Sequence, residues 1–294
     1  MRKWGLLVIG MGVASVLNAA SGAAAFMDNS GQAQLAGRGG YAVAQGIDGL
    51  SGNPAGLVST DGFRFAGTAY QYLETDYAEV QVGWMWEGIG LGASMLNSQV
   101  ASSKTSQTGV DNRLVDTGEG VGYVGRGIVA GVGYQISRRL SVGVNGKWIQ
   151  EVAAGYTGSG WGADLGGLWG ITNEWDLGVV YKNIVQPQMG WDTPSKTVEA
   201  VGQELQVGTQ YRFLGGKLTT LAEVGIKSNE SIVRLGGQYW VTEQLPIWGS
   251  VTSRGWNLGT GLRLGEAGID FSYMQPSTEG LDPSYRFGLN LGWR

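Results

Sequence analysis

The 294-residue sequence contains no cysteine and no histidine. Without cysteine there are no disulfides, no thiolate metal sites and no lipid-bearing cysteine at a processed N-terminus. Without histidine, the commonest metal ligand and the commonest acid–base group at neutral pH are both missing. Ser-His-Asp hydrolases and His- or Cys-ligated zinc enzymes are thereby excluded, and no carboxylate pair stands out as a glycosidase-like site. A carboxylate-only mechanism stays formally open; the chain is read as non-enzymatic, with no cofactor and no metal. Proline is scarce at 6 residues, charged residues make up 15%, and the net charge is −4. That balance argues against nucleic acid, whose partners normally present a basic surface. Past the N-terminus no apolar run approaches the roughly 20 residues that a membrane-spanning helix needs.

What is abundant is equally telling. Glycine stands at 53 of 294 residues, far above its usual share of about 7%. Tryptophan and tyrosine contribute 12 each. Low charge with abundant glycine and aromatics fits either a low-complexity disordered chain or a membrane β-barrel, so the pattern along the chain has to decide. At the N-terminus, Met1, Arg2 and Lys3 precede an apolar run from Trp4 to Leu17. Ala23, Ala24 and Ala25 then offer an A-x-A cleavage site before Phe26. This is the layout of a secretory signal peptide, assigned to residues 1–25.

From about residue 62 onward one device repeats: about ten residues of alternation, then turn residues. Leu140, Val142, Val144, Gly146 and Trp148 share one face, against Ser141, Gly143, Asn145, Lys147 and Ile149. At the C-terminus Tyr285, Phe287, Leu289, Leu291 and Trp293 oppose Arg286, Gly288, Asn290, Gly292 and Arg294. Successive strand side chains point to opposite faces, so each strand has an apolar face and a glycine-rich polar one. The polar face holds too much glycine for an ordinary solvated surface and reads as a lumen lining, with the apolar face turned to lipid. Fourteen candidate strands result: 62–73, 77–87, 89–100, 122–136, 140–152, 158–171, 175–185, 203–213, 218–228, 231–241, 245–253, 256–265, 267–277 and 284–294. The predicted fold is all-β, a transmembrane antiparallel barrel spanning 62–294, with long connections at 101–121 and 186–202. Trp161 and Trp169 lie eight residues apart on one face. At a tilt near 40° that is a height of about 21 Å, the separation of two interfacial aromatic girdles.

On the lumen face, Lys147, Asp164 and Lys182 fall at matched heights on three consecutive strands, and Arg263 and Asp270 flank one turn. They are read as cross-strand bridges or as part of a conduction path. Inward apolar residues Met85, Leu168, Trp240, Trp248 and Met274 are read either as a greasy ligand pocket or as packing against an N-terminal plug. Fourteen strands enclose room for a plug, a ligand or a narrow channel, since eight-strand barrels are filled by side chains and sixteen-strand porins are open.

Residues 26–61 do not follow the barrel rhythm. Residues 42–50 suggest a short helix, weakened by Gly46 and Gly49 and ended by a turn at Asn53 and Pro54. The segment carries Gly39-Gly40-Tyr41-Ala42-Val43-Ala44 and then Ser51-Gly52-Asn53-Pro54-Ala55-Gly56-Leu57 just ahead of the strands. It resembles the N-terminal hatch of the FadL-type outer-membrane transporter superfamily, and is most similar to its shorter PorV/PorQ branch. The resemblance implies a plug motif at Asn53, Pro54, Ala55 and Gly56 inside a fourteen-strand barrel. It also implies a location in the outer membrane of a Gram-negative-type bacterium, with lipid around the barrel and the barrel-assembly machinery as a partner. Two functions are implied: movement of a hydrophobic, fatty-acid-like molecule across the membrane, or a PorV-like docking barrel for secreted or surface proteins. The chain is shorter than typical fatty-acid transporters and ends in Arg294 rather than an aromatic residue.

Overall fold

The computed structural model describes residues 23–72, 75–108, 114–227 and 230–293, without the side chains of Asn29 and of residues 101–121. The signal peptide expected over 1–25 falls, except for its last three residues, outside the described residues. Residues 228–229 and the C-terminal Arg294 also lie outside them.

The first half of the wall comprises β1 (Phe63–Tyr72), β2 (Thr75–Trp86), β3 (Ile89–Thr108), β4 (Leu114–Ser137), β5 (Leu140–Ala153), β6 (Tyr156–Gly170) and β7 (Trp175–Val185). A small hairpin follows, β8 (Gln188–Trp191) and β9 (Val198–Ala200). The wall resumes with β10 (Glu204–Phe213), β11 (Leu218–Lys227), β12 (Glu230–Trp240), β13 (Pro246–Thr252), β14 (Gly255–Leu264), β15 (Ala267–Pro276) and β16 (Ser284–Trp293). Each wall strand pairs antiparallel with the next, and β7 pairs with β10 across the inserted hairpin. β1 then pairs with β16 from Phe63 opposite Trp293 to Gln71 opposite Tyr285, closing a fourteen-strand barrel. Among the described residues each of the fourteen wall strands thus has a partner on both sides, the condition for a sheet to stand in lipid, and only the β8–β9 hairpin keeps an outer edge.

The alternation of the sequence becomes the two faces of this wall. Val132, Val144, Leu165, Val179, Leu258 and Phe287 point outward and are exposed as a continuous apolar belt. At the end carrying both barrel termini the belt is rimmed by Trp84, Trp169, Trp175, Tyr211 and Trp293, and at the far end by Tyr156, Trp161, Trp256 and Tyr285. Trp148 stands opposite Trp161 and Leu140 opposite Trp169, so one strand pair carries the belt from rim to rim. An exposed apolar band between aromatic rims is the surface of a transmembrane barrel.

Three local expectations change. Residues 101–121 were expected as a loop, but the β3–β4 ladder runs on to Thr108 opposite Leu114, with two register shifts. Backbone pairing needs no apolar alternation once a hairpin leaves the lipid, so the sequence pattern goes silent there. Within 186–202 the β8–β9 hairpin folds back on the wall, with Trp191 opposite Gly158 of β6. Residues 42–50 supply only a 3-10 turn at Gly46–Leu50, because Gly46 sits at φ 66°. Asn53 and Pro54 do not end a helix but begin a second such turn, Pro54–Ser59, with the Asn53 side chain accepting the Ala55 N–H.

Val144 lies midway between the aromatic rims and is 49% exposed. Val144→Lys is expected to cost about 2–4 kcal/mol of barrel stability, read by reversible urea unfolding in lipid vesicles. Gln99→Lys, on the same outward face beyond the belt, should be nearly neutral. Equal small costs at both positions would mean that this face does not meet lipid.

Candidate functional site

The lumen is occupied by the chain's own N-terminal segment. A 3-10 turn, Ala25–Asn29, lies toward the far end; a short helix α1 (Ala33–Arg38) follows, then the turns Gly46–Leu50 and Pro54–Ser59 toward the end carrying the barrel termini. None of these pieces is long enough to hold itself together in water, so the wall satisfies their backbone. Ser272 Oγ donates to Ala33 O at 2.7 Å and Ser250 Oγ to Gly37 O at 2.9 Å. The carboxylate of Glu79 accepts the Gly31 N–H at 2.6 Å and the Ser51 hydroxyl at 3.0 Å. Glu223 accepts the Ala42 N–H at 2.5 Å and the Arg234 guanidinium at 2.7 Å. Charge-assisted bonds of this kind are stronger than neutral ones.

Asn53 is the centre of the attachment and has no exposed surface. Its Nδ2 donates to Ala42 O at 2.7 Å within the plug and to Gly167 O at 2.8 Å in β6, while Oδ1 accepts the Ala55 N–H at 3.1 Å. Pro54, Ala55 and Gly56 are buried beside it. The plug backbone comes this close because the facing wall lacks side chains. A Cβ on Gly143 would stand 2.3 Å from the Pro54 carbonyl carbon, and one on Gly178 only 1.9 Å from Ala42 O. The glycine-rich face read from the sequence as a lumen lining is the seat of the plug.

The other residues singled out from the sequence separate into groups. Lys147 Nζ lies 2.6 Å from Asp164 Oδ1, and Arg263 lies 2.7 Å from Asp270. Lys182, read as a third member of the first set, turns instead to Ser51 O at 3.1 Å and lies over the Tyr41 ring. Asp164 meets the Asn183 N–H at 2.7 Å, where the β6–β7 ladder slips register. The five apolar residues do not converge on one pocket, because the plug already occupies the lumen centre. Trp248 packs on Gly37 of α1 and bonds Ser272, and Leu168 packs on Val43 and Ala55. Met85 is half-buried next to the β2–β3 turn, and Trp240 borders an open cleft with Lys217 and Thr242.

Met274 lines a cavity of about 100 Å³ between the plug and the far end of the wall. Tyr41, Tyr72 and Ile232 add apolar surface there; Arg234, Arg254 and Arg286 add guanidinium groups, the first two ion-paired with Glu223 and Glu230, and Asp28 adds a carboxylate. Arg286 stacks on the Tyr70 ring at 3.7 Å and donates to Gly31 O at 2.6 Å, so it is held in place by wall and plug together.

Sequence reasoning missed Arg38, Asp48, Glu79, Glu223, Arg234 and Arg286. Glu223 and Arg234 were findable, since they are equidistant from residues 228–229 and lie directly opposite each other on β11 and β12. Arg38 and Asp48 were not, because they belong to the aperiodic segment. Asp48 borders a cleft open to the end carrying the barrel termini, yet its Oδ1 has no hydrogen-bond partner and neither does Arg38 Nε. Burial among protein atoms pushes the Asp48 carboxyl up to about 7, with the Arg38 charge partly offsetting it. Burial likewise lowers Arg38 from its ordinary value, against the pull of Asp48.

Fold and site together define a transmembrane barrel of fourteen strands closed from within by its own N-terminal segment. The same fold is found in the toluene transporter TbuX of Ralstonia pickettii, at TM-score 0.70 and 13% identity over 91% of this chain and 99% of that one. It recurs in the toluene transporter TodX of Pseudomonas putida, at TM-score 0.62 and 13% identity over 89% and 96%. A FadL homologue of Pseudomonas aeruginosa matches at TM-score 0.63 and 11% identity over 90% and 98%. No family model and no curated protein sequence matches the chain.

Two predictions follow from the seating of the plug. Gly178→Val should leave the barrel assembled but unseat the plug, raising single-channel conductance and exposing residues 40–57 to protease; an unchanged, protected plug would contradict the close approach. Asp48 titrates near 7 when docked and near 4 when hydrated, so between these values the docked plug holds the extra proton. Lowering the pH through 7 therefore favours docking, and raising it weakens docking. Hydrogen exchange of residues 46–57 should quicken from pH 5 to pH 8 beyond its intrinsic pH dependence, and Asp48→Asn should abolish the excess.

Proposed function

We propose that this protein is an outer-membrane channel that admits a small hydrophobic molecule with an anionic head, fatty-acid-like in kind, and that the N-terminal plug gates the passage. On this reading the chain is exported by its signal peptide and inserted by the barrel-assembly machinery. The observation that carries it is the far-end cavity, where Tyr41, Tyr72, Ile232 and Met274 offer apolar surface beside Arg234, Arg254 and Arg286. Apolar walls with a few placed polar groups suit an amphiphile, and a guanidinium is the natural partner of a carboxylate. The shared fold with the two toluene transporters supports a role in moving apolar solutes. Because the plug fills the lumen below the cavity, a captured molecule passes only if the plug shifts or the wall parts.

A second reading, a PorV-like barrel that docks secreted or surface proteins, draws on one feature. β3 and β4 are 20 and 24 residues long, against at most 15 for any other strand, so their hairpin stands out at the far end. Gentle purification from native membranes with mass spectrometry of bound lipids and proteins separates the two. A stoichiometric carboxylate amphiphile is expected. Ile232→Glu, which adds a negative charge beside the arginines, should weaken dodecanoate binding by roughly tenfold or more. An empty cavity with a stoichiometric protein partner would overturn the channel reading, as would dodecanoate binding that the substitution leaves untouched.

A further inference from the structure

The sequence places the leader cleavage before Phe26, but the structure points two residues upstream. We infer that the processed chain begins at Ala24 and that its α-ammonium is held inside the barrel by the carboxylate of Glu151.

Ala24 is buried, and its backbone nitrogen lies 3.1 Å from Glu151 Oε1. Tyr123 donates its hydroxyl to the same oxygen at 2.6 Å. Glu151 faces inward from β5 and is 4% exposed. Among the described residues no lysine or arginine side chain forms an ion pair with it. A buried carboxylate without a cation is costly, and an ammonium at the Ala24 nitrogen would supply that cation where a hydrogen bond already exists.

The backbone points the same way. Ala24 sits at φ 58° and ψ 23°, the left-handed region that an alanine inside a chain rarely adopts. The torsion φ is defined by the preceding carbonyl, and its unfavourable contacts involve that group. Once the Ala23–Ala24 bond is cut, the preceding carbonyl is gone and Ala24 keeps its place without strain.

The register is fixed by the next turn of chain. Phe26 is 3% exposed in an apolar cluster with Tyr70, Tyr77, Leu96, Ile149 and Met189. Ala24 belongs to the same cluster, but its nitrogen points at Glu151, and cleavage before Phe26 would remove that N–H from the carboxylate. The upstream residues suit the alternative, since Ser21 and Ala23 are small at the third and first positions before the cut. In the reaction a signal peptidase directs water onto the Ala23 carbonyl. The C–N bond breaks, Ala23 leaves as a carboxylate, and Ala24 retains the amine, protonated at neutral pH. The plug is then tied at both ends, by an ion pair near the far end and by its continuation into β1 at the other.

The test uses the full precursor, expressed in a Gram-negative host and purified from its outer membrane. Intact mass and N-terminal sequencing should give Ala24 as the first residue, followed by Ala25 and Phe26. A mature chain starting at Phe26, or at any other residue, overturns the inference. The anchor has its own readout in the rate at which an amine-reactive reagent labels the α-amine. Folded wild type should react roughly tenfold more slowly than Glu151→Gln, because the carboxylate keeps the amine protonated and covered. If the variant fails to assemble, folded and heat-unfolded wild type are compared in its place. Equal rates in either comparison sink the anchor, even if cleavage falls before Ala24.

Discussion

The closing ladder between β1 and β16 is the interaction on which the rest of this molecule depends. Lipid offers no hydrogen bonds to a backbone, so a sheet survives in it only when every edge finds a partner. Once the ladder is closed, each strand has one face to the membrane and one to the lumen, and the period-two alternation sorts residues between them without exception for long stretches. Leu140, Val142 and Val144 go to lipid, while Ser141, Gly143 and Asn145 go inside. The aromatic rims then set where the belt begins and ends.

Closure also creates an interior that has to be filled. The wall is closed to water on the outside, and a lumen of this width is too large for side chains alone. The N-terminal segment fills it with backbone rather than with apolar bulk, which is why the fit relies on glycine and on polar wall residues. Glu79 and Glu223 take plug N–H groups, Ser250, Ser272 and Lys182 meet plug carbonyls, and the Asn53 amide ties two plug strands of chain to β6. Such an interior is held by many directional contacts and little area. Its contacts respond to a change of charge and to competition for hydrogen bonds, as those of an apolar core do not.

The far-end cavity exists because the plug does not fill the lumen evenly. α1 lies against β13, β14 and β15, leaving a cavity on the other side in which the Arg234 guanidinium of β12 lies over the Tyr41 ring and Arg286 of β16 lines the wall. Arg286 is fixed there by Tyr70 on one side and the plug carbonyl of Gly31 on the other. Plug position and cavity chemistry are thus coupled: an anion that draws Arg286 away from Gly31 would remove one of the bonds holding the plug.

The sequence by itself determined the barrel, its strand number and the side each wall residue faces, because alternation is a local property imposed by lipid on every strand in turn. It also marked Asn53 and Pro54 by their resemblance, and Lys147, Asp164, Arg263 and Asp270 by their place relative to turns. Only the tertiary structure decided what fills the lumen. The plug has no period, its turns are too short to signal themselves, and its partners lie between about 30 and 255 residues away along the chain. That Trp248 and Leu168 pack on the plug while Met274 lines a cavity, and that Lys182 leaves Asp164 for Ser51, follows from how the segment crosses the lumen. No local rule carries that path, since it is fixed by contacts that exist only once the wall has closed around it.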